Sequence, residues 1–405
     1  LWLPHCRRAK QRVVFASRFG KKERAMDTRS ARLLSRRRLL STSLAAGAAL
    51  GAGALTPAPT RAASNEVVVL GWVPYWPPEA DALFTKKTGL TLRLIGADTD
   101  QEMFTKLKAG GGSQYDLVYA NAGFTPLYDR FGLIEHIDPT EVAAAKNLYP
   151  EFLTTASLPY VITPGKSLLI YPNMWSPLAL VWLPSVVKTA GEPSWTMFWD
   201  KSVPKGSVIL AGGDGDDFLA VGGLAHGVPR DQVYAMSGDT LKAVVASMRA
   251  LKPFQILVGA EPEFRARFRK GQATIGLASQ IGVADLINGE AKKDIAEAAI
   301  PKEGTLGWVD GVMLVKGAQN RANAMTFINF LGSDVDYGKI IFEATGGSPC
   351  SRTVTEALLA EGGANAATVR TIQADKPEAA LQIVMQAPPA DPNAYAQAWD
   401  DVLAT

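Results

Sequence analysis

Between residues 66 and 120 the chain alternates short apolar runs with amphipathic stretches, and that alternation leaves few folds open. Glu-Val-Val-Val-Leu-Gly at 66–71 reads as a buried strand. Pro77-Pro78 opens a helix, because proline fits the first helical turn, where its missing N–H is not needed. Ala80, Leu83 and Phe84 supply the helix's apolar face, and Gly89 follows its last turn as a C-cap. Leu90, Leu92 and Leu94 alternate as a second strand. Residues 103–108 read as helix, the glycines at 110–112 break it, and 115–120 forms a third strand. Strand–helix–strand–helix–strand is the pattern of a parallel sheet covered by helices, so the class is α/β. Further strands are expected at 207–210, 273–277 and 311–315. Helices are expected at 195–201 behind a Ser194 cap, and at 264–270, 320–331, 334–344 and 395–403. There is no internal repeat and no coiled-coil heptad.

The first 63 residues are of another kind. Ser35-Arg36-Arg37-Arg38-Leu39-Leu40 precedes an apolar run from Leu44 to Leu55, rich in Ala and Gly. A membrane span needs roughly 20 apolar residues, so this run is an export-signal core rather than an anchor. The adjacent arginines match a twin-arginine signal, and an ordinary secretory signal with an extra arginine stays open. Small residues at Pro57-Ala58-Pro59-Thr60-Arg61-Ala62-Ala63 place cleavage near Ala62-Ala63. No cysteine lies there, which argues against a lipid anchor. Met26-Asp27-Thr28-Arg29 is a normal signal-peptide start, and residues 1–25 read as over-translated sequence ahead of it.

Setting the leader aside inverts the charge. The whole chain is +3, but residues 64–405 keep 28 of the 42 basic and 37 of the 39 acidic residues, a net −9. An acidic protein is a poor partner for nucleic acid. About 340 residues exceed what a single core usually serves, so two lobes are expected. Only Cys350, His136 and His226 remain as thiol and imidazole groups, too few for an intrachain disulfide or a zinc centre. Gly110-Gly111-Gly112-Ser113 lacks the lysine of a phosphate-binding loop, and no Gly-x-Ser-x-Gly nucleophile motif occurs.

Three constellations could carry function. Trp72-Val73-Pro74-Tyr75-Trp76 sits where the first strand ends, the edge at which open α/β sheets bind ligands. Aromatic faces there suit a cation or a sugar, and core packing is the other reading. Trp308 and Asp310 stand two apart on extended chain, so an aromatic and a carboxylate face the same way, which suits an ammonium group. Gly212-Gly213-Asp214-Gly215-Asp216-Asp217 follows the strand at 207–210 and is open to two readings, a cation-binding loop and a surface turn. Phe218 breaks the alternation a calcium loop requires.

In their order, these pieces resemble the periplasmic spermidine/putrescine-binding proteins of ABC importers. The resemblance rests on Gly71-Trp72-Val73-Pro74-Tyr75-Trp76-Pro77-Pro78, Phe84-Thr85-Lys86-Lys87-Thr88-Gly89, Met103-Phe104-Thr105-Lys106-Leu107-Lys108 and Tyr115-Asp116-Leu117-Val118. It continues through Gly132-Leu133-Ile134-Glu135-His136-Ile137-Asp138, Pro193-Ser194-Trp195, Pro301-Lys302-Glu303-Gly304, Trp308-Val309-Asp310 and Phe327-Ile328-Asn329-Phe330-Leu331. It implies a type II periplasmic-binding-protein fold of two α/β lobes, each a mostly parallel sheet, with hinge crossings near 170–177, 307–311 and 345–349. Lobe 1 would be 64–174 completed by about 310–346, and lobe 2 would be 175–309 completed by about 347–405.

The resemblance further implies a monomeric binding protein without cofactor or catalysis. It would capture putrescine or spermidine in the periplasm by lobe closure and deliver it to an inner-membrane permease. Trp72, Tyr75, Trp308 and Asp310 match ligand positions, Asp216 falls at a second amine-pairing acid, and Asn121 lies in a segment near the ligand. Three departures open the alternative of a different solute, such as an amino-acid derivative, a sugar or a phosphonate. Asn121-Ala122-Gly123-Phe124 replaces aromatics. A tryptophan is replaced near Ser279-Gln280, and a tyrosine near Gly347. An exported enzyme is the remaining alternative, disfavoured by the scarcity of His and Cys.

Overall fold

The computed structural model describes residues 64–404 except 155–159, 164, 190, 211–214 and 257–260. The leader with its cleavage region, and Asp214 with the glycines before it, lie outside the described residues.

The strands are β1 (Glu66–Trp72), β2 (Thr91–Ala97), β3 (Leu117–Asn121), β4 (Tyr171–Pro177), β5 (Ala179–Trp182) and β6 (Val208–Leu210). They continue with β7 (Gln255–Ile256), β8 (Ile275–Ala278), β9 (Glu297–Ala299), β10 (Leu306–Leu314), β11 (Ser348–Pro349) and β12 (Val384–Met385). One sheet runs β11-β4-β10-β3-β1-β2, with β12 added beside β10, and the other runs β7-β6-β8-β5-β9. Both are mixed. Strands joined by crossover helices pair in parallel, as in β1 with β2 and β3, and β6 with β7 and β8. Antiparallel pairs arise where the chain passes between sheets, as in β10 with β3 and β4, and β5 with β8 and β9.

Local chemistry sets the element ends. The helix Pro78–Thr88 carries proline at its start and ends on Gly89 at φ 74°, a left-handed conformation that glycine takes without strain. It buries Ala80 and Phe84 against the first sheet. Removing the Phe84 ring would cost about 3–5 kcal/mol. Thr99 caps the helix Asp100–Gly110 by accepting from Glu102 N–H, Ser194 caps a 3₁₀ turn over Trp195–Trp199, and Asp334 caps Val335–Thr345. The expected strand at 311–315 is the far half of a longer strand, β10. Its near half, including Trp308, is strand because it pairs with β4 and β12.

Each sheet has its own core. Val67–Leu70, Phe84, Leu117, Trp175, Val312 and Phe327 belong to the first; Leu180, Trp195, Phe218, Leu277, Leu306 and Tyr395 belong to the second. The chain steps from β4 to β5 across Leu178 alone, and β10 begins in the second core at Leu306 and enters the first by Val309. Thr305 joins the passages: its hydroxyl donates to Leu178 O at 2.8 Å, and its carbonyl accepts from Val384 N–H at 2.9 Å. In the segment 345–349 Thr345 ends a helix and Ser348–Pro349 form β11 on the first sheet, and Cys350 lies in the first core. The C-terminal chain meets the second core through Val384 and the helix Pro392–Leu403. Among the described residues no helix is long and apolar enough to cross a membrane.

Candidate functional site

The carboxyl end of β1 runs into a 3₁₀ turn over Val73–Tyr75, which points the Tyr75 ring back into the sheet's edge. Tyr75 is buried and its ring lies 4.6 Å from that of Tyr119 on β3. β10 runs antiparallel to β3 and sets Asp310 opposite Asn121. Through this pairing Tyr75 and Asp310, 235 residues apart, meet: the Tyr75 hydroxyl donates to Asp310 Oδ2 at 2.9 Å. Asp310 is only 7% exposed, and its Oδ1 is enclosed without a hydrogen-bond partner. Burial pushes the Asp310 carboxyl up to about 7, opposed by the Tyr75 hydrogen bond. Burial likewise holds the Tyr75 and Tyr119 hydroxyls well above their ordinary range, so both stay protonated donors. The Tyr119 hydroxyl in turn accepts from Asn173 Nδ2 at 2.9 Å.

Trp308 stands two residues before Asp310 and ahead of the register shift that follows Asp310, so the strand keeps both on one face. Its ring is half-buried and touches both cores. Its indole N–H donates to Ser279 O, at the end of β8, at 2.8 Å. Trp72 is half-buried against the first core, with its indole N–H enclosed and unpartnered. Trp76 packs into the core, edge-on to Tyr119 and tilted on Phe327.

Asn121 is buried and spends its side-chain oxygen on Gly123 N–H at 2.8 Å. Its Nδ2 donates to Gln386 Oε1 at 3.4 Å. Gln386 Nε2 donates to Asp217 Oδ2, and Asp217 Oδ1 accepts from the Tyr234 hydroxyl at 2.5 Å. A polar chain thus crosses from the first sheet to the helix Gly215–Ala225 of the second core. Asp216 lies one residue before Asp217 on the same turn, half-buried; burial raises the Tyr234 and Tyr395 hydroxyls, and the Asp216 charge adds to it. Asp217 is therefore the acid that the structure joins to Asn121, and Asp216 lies beside it.

Sequence reasoning missed Tyr119, Asn173 and Gln386, and held Asp217 only as part of the acidic loop at 212–217. Tyr119 and Asn121 share one face of β3, and that alternation was the available signal. Gln386 carries no local signal, because its place follows from β12 pairing beside β10 at Leu306 and Gly307. Among the described residues no Lys or Arg hydrogen-bonds to Asp310, Asn121 or Gln386, and no His/Cys/Asp/Glu group is arranged to hold a metal. The arrangement is a buried cluster of acids and aromatics where the two cores meet. It offers no nucleophile–base pair.

Comparison with known proteins gives the family and the fold. The family model for bacterial extracellular solute-binding proteins matches residues 79–380. The chain is 27% identical over 328 residues to the spermidine/putrescine-binding periplasmic protein of Escherichia coli, covering 79% of this chain and 88% of that one. A putative spermidine/putrescine ABC transporter protein from Listeria monocytogenes superposes with a TM-score of 0.69 at 19% identity, over 84% of this chain and 98% of that one. A binding protein of A. tumefaciens solved with glucopine superposes with a TM-score of 0.61 at 19% identity, over 84% and 100%. The type II periplasmic-binding-protein fold is shown by these likenesses, and so is a binding rather than an enzymatic role. The chain belongs to the bacterial extracellular solute-binding proteins.

Proposed function

We propose that the solute is a small cationic amine, such as putrescine or spermidine, held between the lobes and delivered to a permease in the inner membrane. The observation that carries the reading is Asp310: a buried carboxylate with one unpartnered oxygen and no cation beside it. A buried acid is tolerated where a cation will complete it. Trp308 on the same strand face offers a ring for the solute's carbon chain. A zwitterionic or anionic solute would need a basic residue for its acid group, and the groups that hydrogen-bond around Asp310 include none. We place the protein in the periplasm, reached through the leader at 1–63, with the lobes divided as the two sheets divide. The replaced aromatics near Gly347 and Ser279-Gln280 favour a shorter solute over a long polyamine, which keeps a different small solute as the second reading.

A thermal-shift screen of purified protein against putrescine, spermidine, amino acids and sugars tests this. A ligand at 100 times its Kd adds about 2.7 kcal/mol to stability. Stabilisation by sugars or amino acids with none by amines would refute the amine assignment.

A further inference from the structure

The second sheet places an unused hydrogen-bond acceptor near Trp308. β6, β7 and β8 run parallel, so the residues after them share one edge of the sheet. Ser279 and Gln280 follow β8, and Glu261 opens the helix Glu261–Arg269 that follows β7. The hydrogen bond from the Trp308 indole to Ser279 O fixes that edge against Trp308. Gln280 is only 3% exposed. Its Nε2 donates to Thr345 O at 2.6 Å and to Glu261 Oε2 at 3.1 Å. Both partners only accept, so the amide has a single satisfactory orientation. The other end, Oε1, is enclosed and bonded to nothing.

The nearby charge is already matched. Glu261 also accepts from the Ser279 hydroxyl at 3.0 Å and pairs with Arg265, which bridges to Glu290 at 2.9 Å. The open acceptor is therefore the uncharged Gln280 Oε1. Two glycines place it next to the Trp308 ring. A β-carbon on Gly346 would sit 3.4 Å from Gln280 Nε2 and 3.7 Å from Oε1, and one on Gly347 would sit 2.9 Å from Trp308 Cη2. The carboxamide and the indole thus rest on consecutive residues. Asp310 stands two residues along β10 from Trp308.

We propose that Gln280 is a ligand-binding residue that sets the selectivity of the site. The solute carries, beyond the ammonium anchored on Asp310, a second N–H or O–H donor that Gln280 Oε1 accepts. This rests on the reading of Asp310 as the anchor. Thr345 ends a helix of the first core and Glu261 belongs to the second sheet's side, so the carboxamide is oriented only when both lobes supply their acceptors. The second donor is then read as the lobes come together.

Calorimetry with butylamine, 4-amino-1-butanol and 1,4-diaminobutane tests the assignment on the wild type, Gln280→Met and Asp310→Asn. The wild type should bind the two bifunctional amines at least about tenfold more tightly than butylamine. Gln280→Met, close in volume but without the acceptor, should erase that preference, read as the ratio of affinities within the variant, because losing the Nε2 bonds weakens all three amines alike. Should Gln280→Met fail to fold, Gln280→Asn, which withdraws the amide by one methylene, carries the same test. An unchanged preference in the variant, or no preference in the wild type, overturns the role of Gln280. Wild-type affinity in Asp310→Asn, or no amine binding by the wild type, overturns the amine reading instead, so the two failures are distinguishable.

Discussion

Asp310→Asn should make the unliganded protein more resistant to unfolding at alkaline pH while it abolishes amine capture. The folded protein holds the Asp310 proton up to about pH 7, whereas the unfolded chain releases it near the ordinary value of 3.8. Across that window the unfolded state binds fewer protons, so stability falls as pH rises and levels off above the folded value. Each pH unit is worth 1.36 kcal/mol. The two units from pH 5 to the folded value of about 7 therefore cost the wild type about 2.7 kcal/mol that the variant does not lose. The new amide leaves a buried N–H unpaired, a cost of about 1–3 kcal/mol. That cost is the same at both pH values and drops out of the difference. Urea unfolding at pH 5 and pH 8, on wild type and variant without ligand, reads the difference directly from the midpoints. Ligand binding supplies the second arm. A cation needs the ionised acid, so wild-type amine affinity should fall about tenfold per unit as pH drops below about 7. Parallel pH profiles for wild type and variant would refute the account of Asp310 as a buried acid lacking its counter-ion.

Three further outcomes follow from the fold. X-ray scattering should show a smaller radius of gyration with saturating amine than without, because the residues assigned to the solute lie where two separate cores meet; an unchanged radius counts against closure. N-terminal sequencing of exported protein should start near Ala62-Ala63, and a start well before them would contradict the leader assignment. Asp116→Ala should destabilise the protein by about 2–4 kcal/mol, because the buried carboxylate accepts from Val68 N–H at 2.9 Å and Asn320 N–H at 3.0 Å. Amine affinity at temperatures where that variant stays folded should be unchanged.

What could be read in the sequence was what neighbouring residues decide among themselves. Gly89 ends a helix and Ser194 caps a 3₁₀ turn through bonds spanning four residues or fewer, and the apolar runs at 66–71 and 115–120 become β1 and β3 because nothing nearby offers an alternative. The pairing of Trp308 with Asp310 on one strand face was equally legible, since a spacing of two needs no knowledge of the rest of the fold. Tertiary structure decided the rest. Asp310 acquires its raised proton affinity from burial against β3, with the hydrogen bond from Tyr75, 235 residues away, opposing it, and no local pattern encodes that desolvation. Asp217 and Asp216 are indistinguishable as adjacent acids, and only the passage of β12 beside β10 brings Gln386 to the first of them. The Gln280 acceptor is likewise invisible in the sequence, because its open oxygen is defined by what Thr345 and Glu261 have taken from the other end of the same amide.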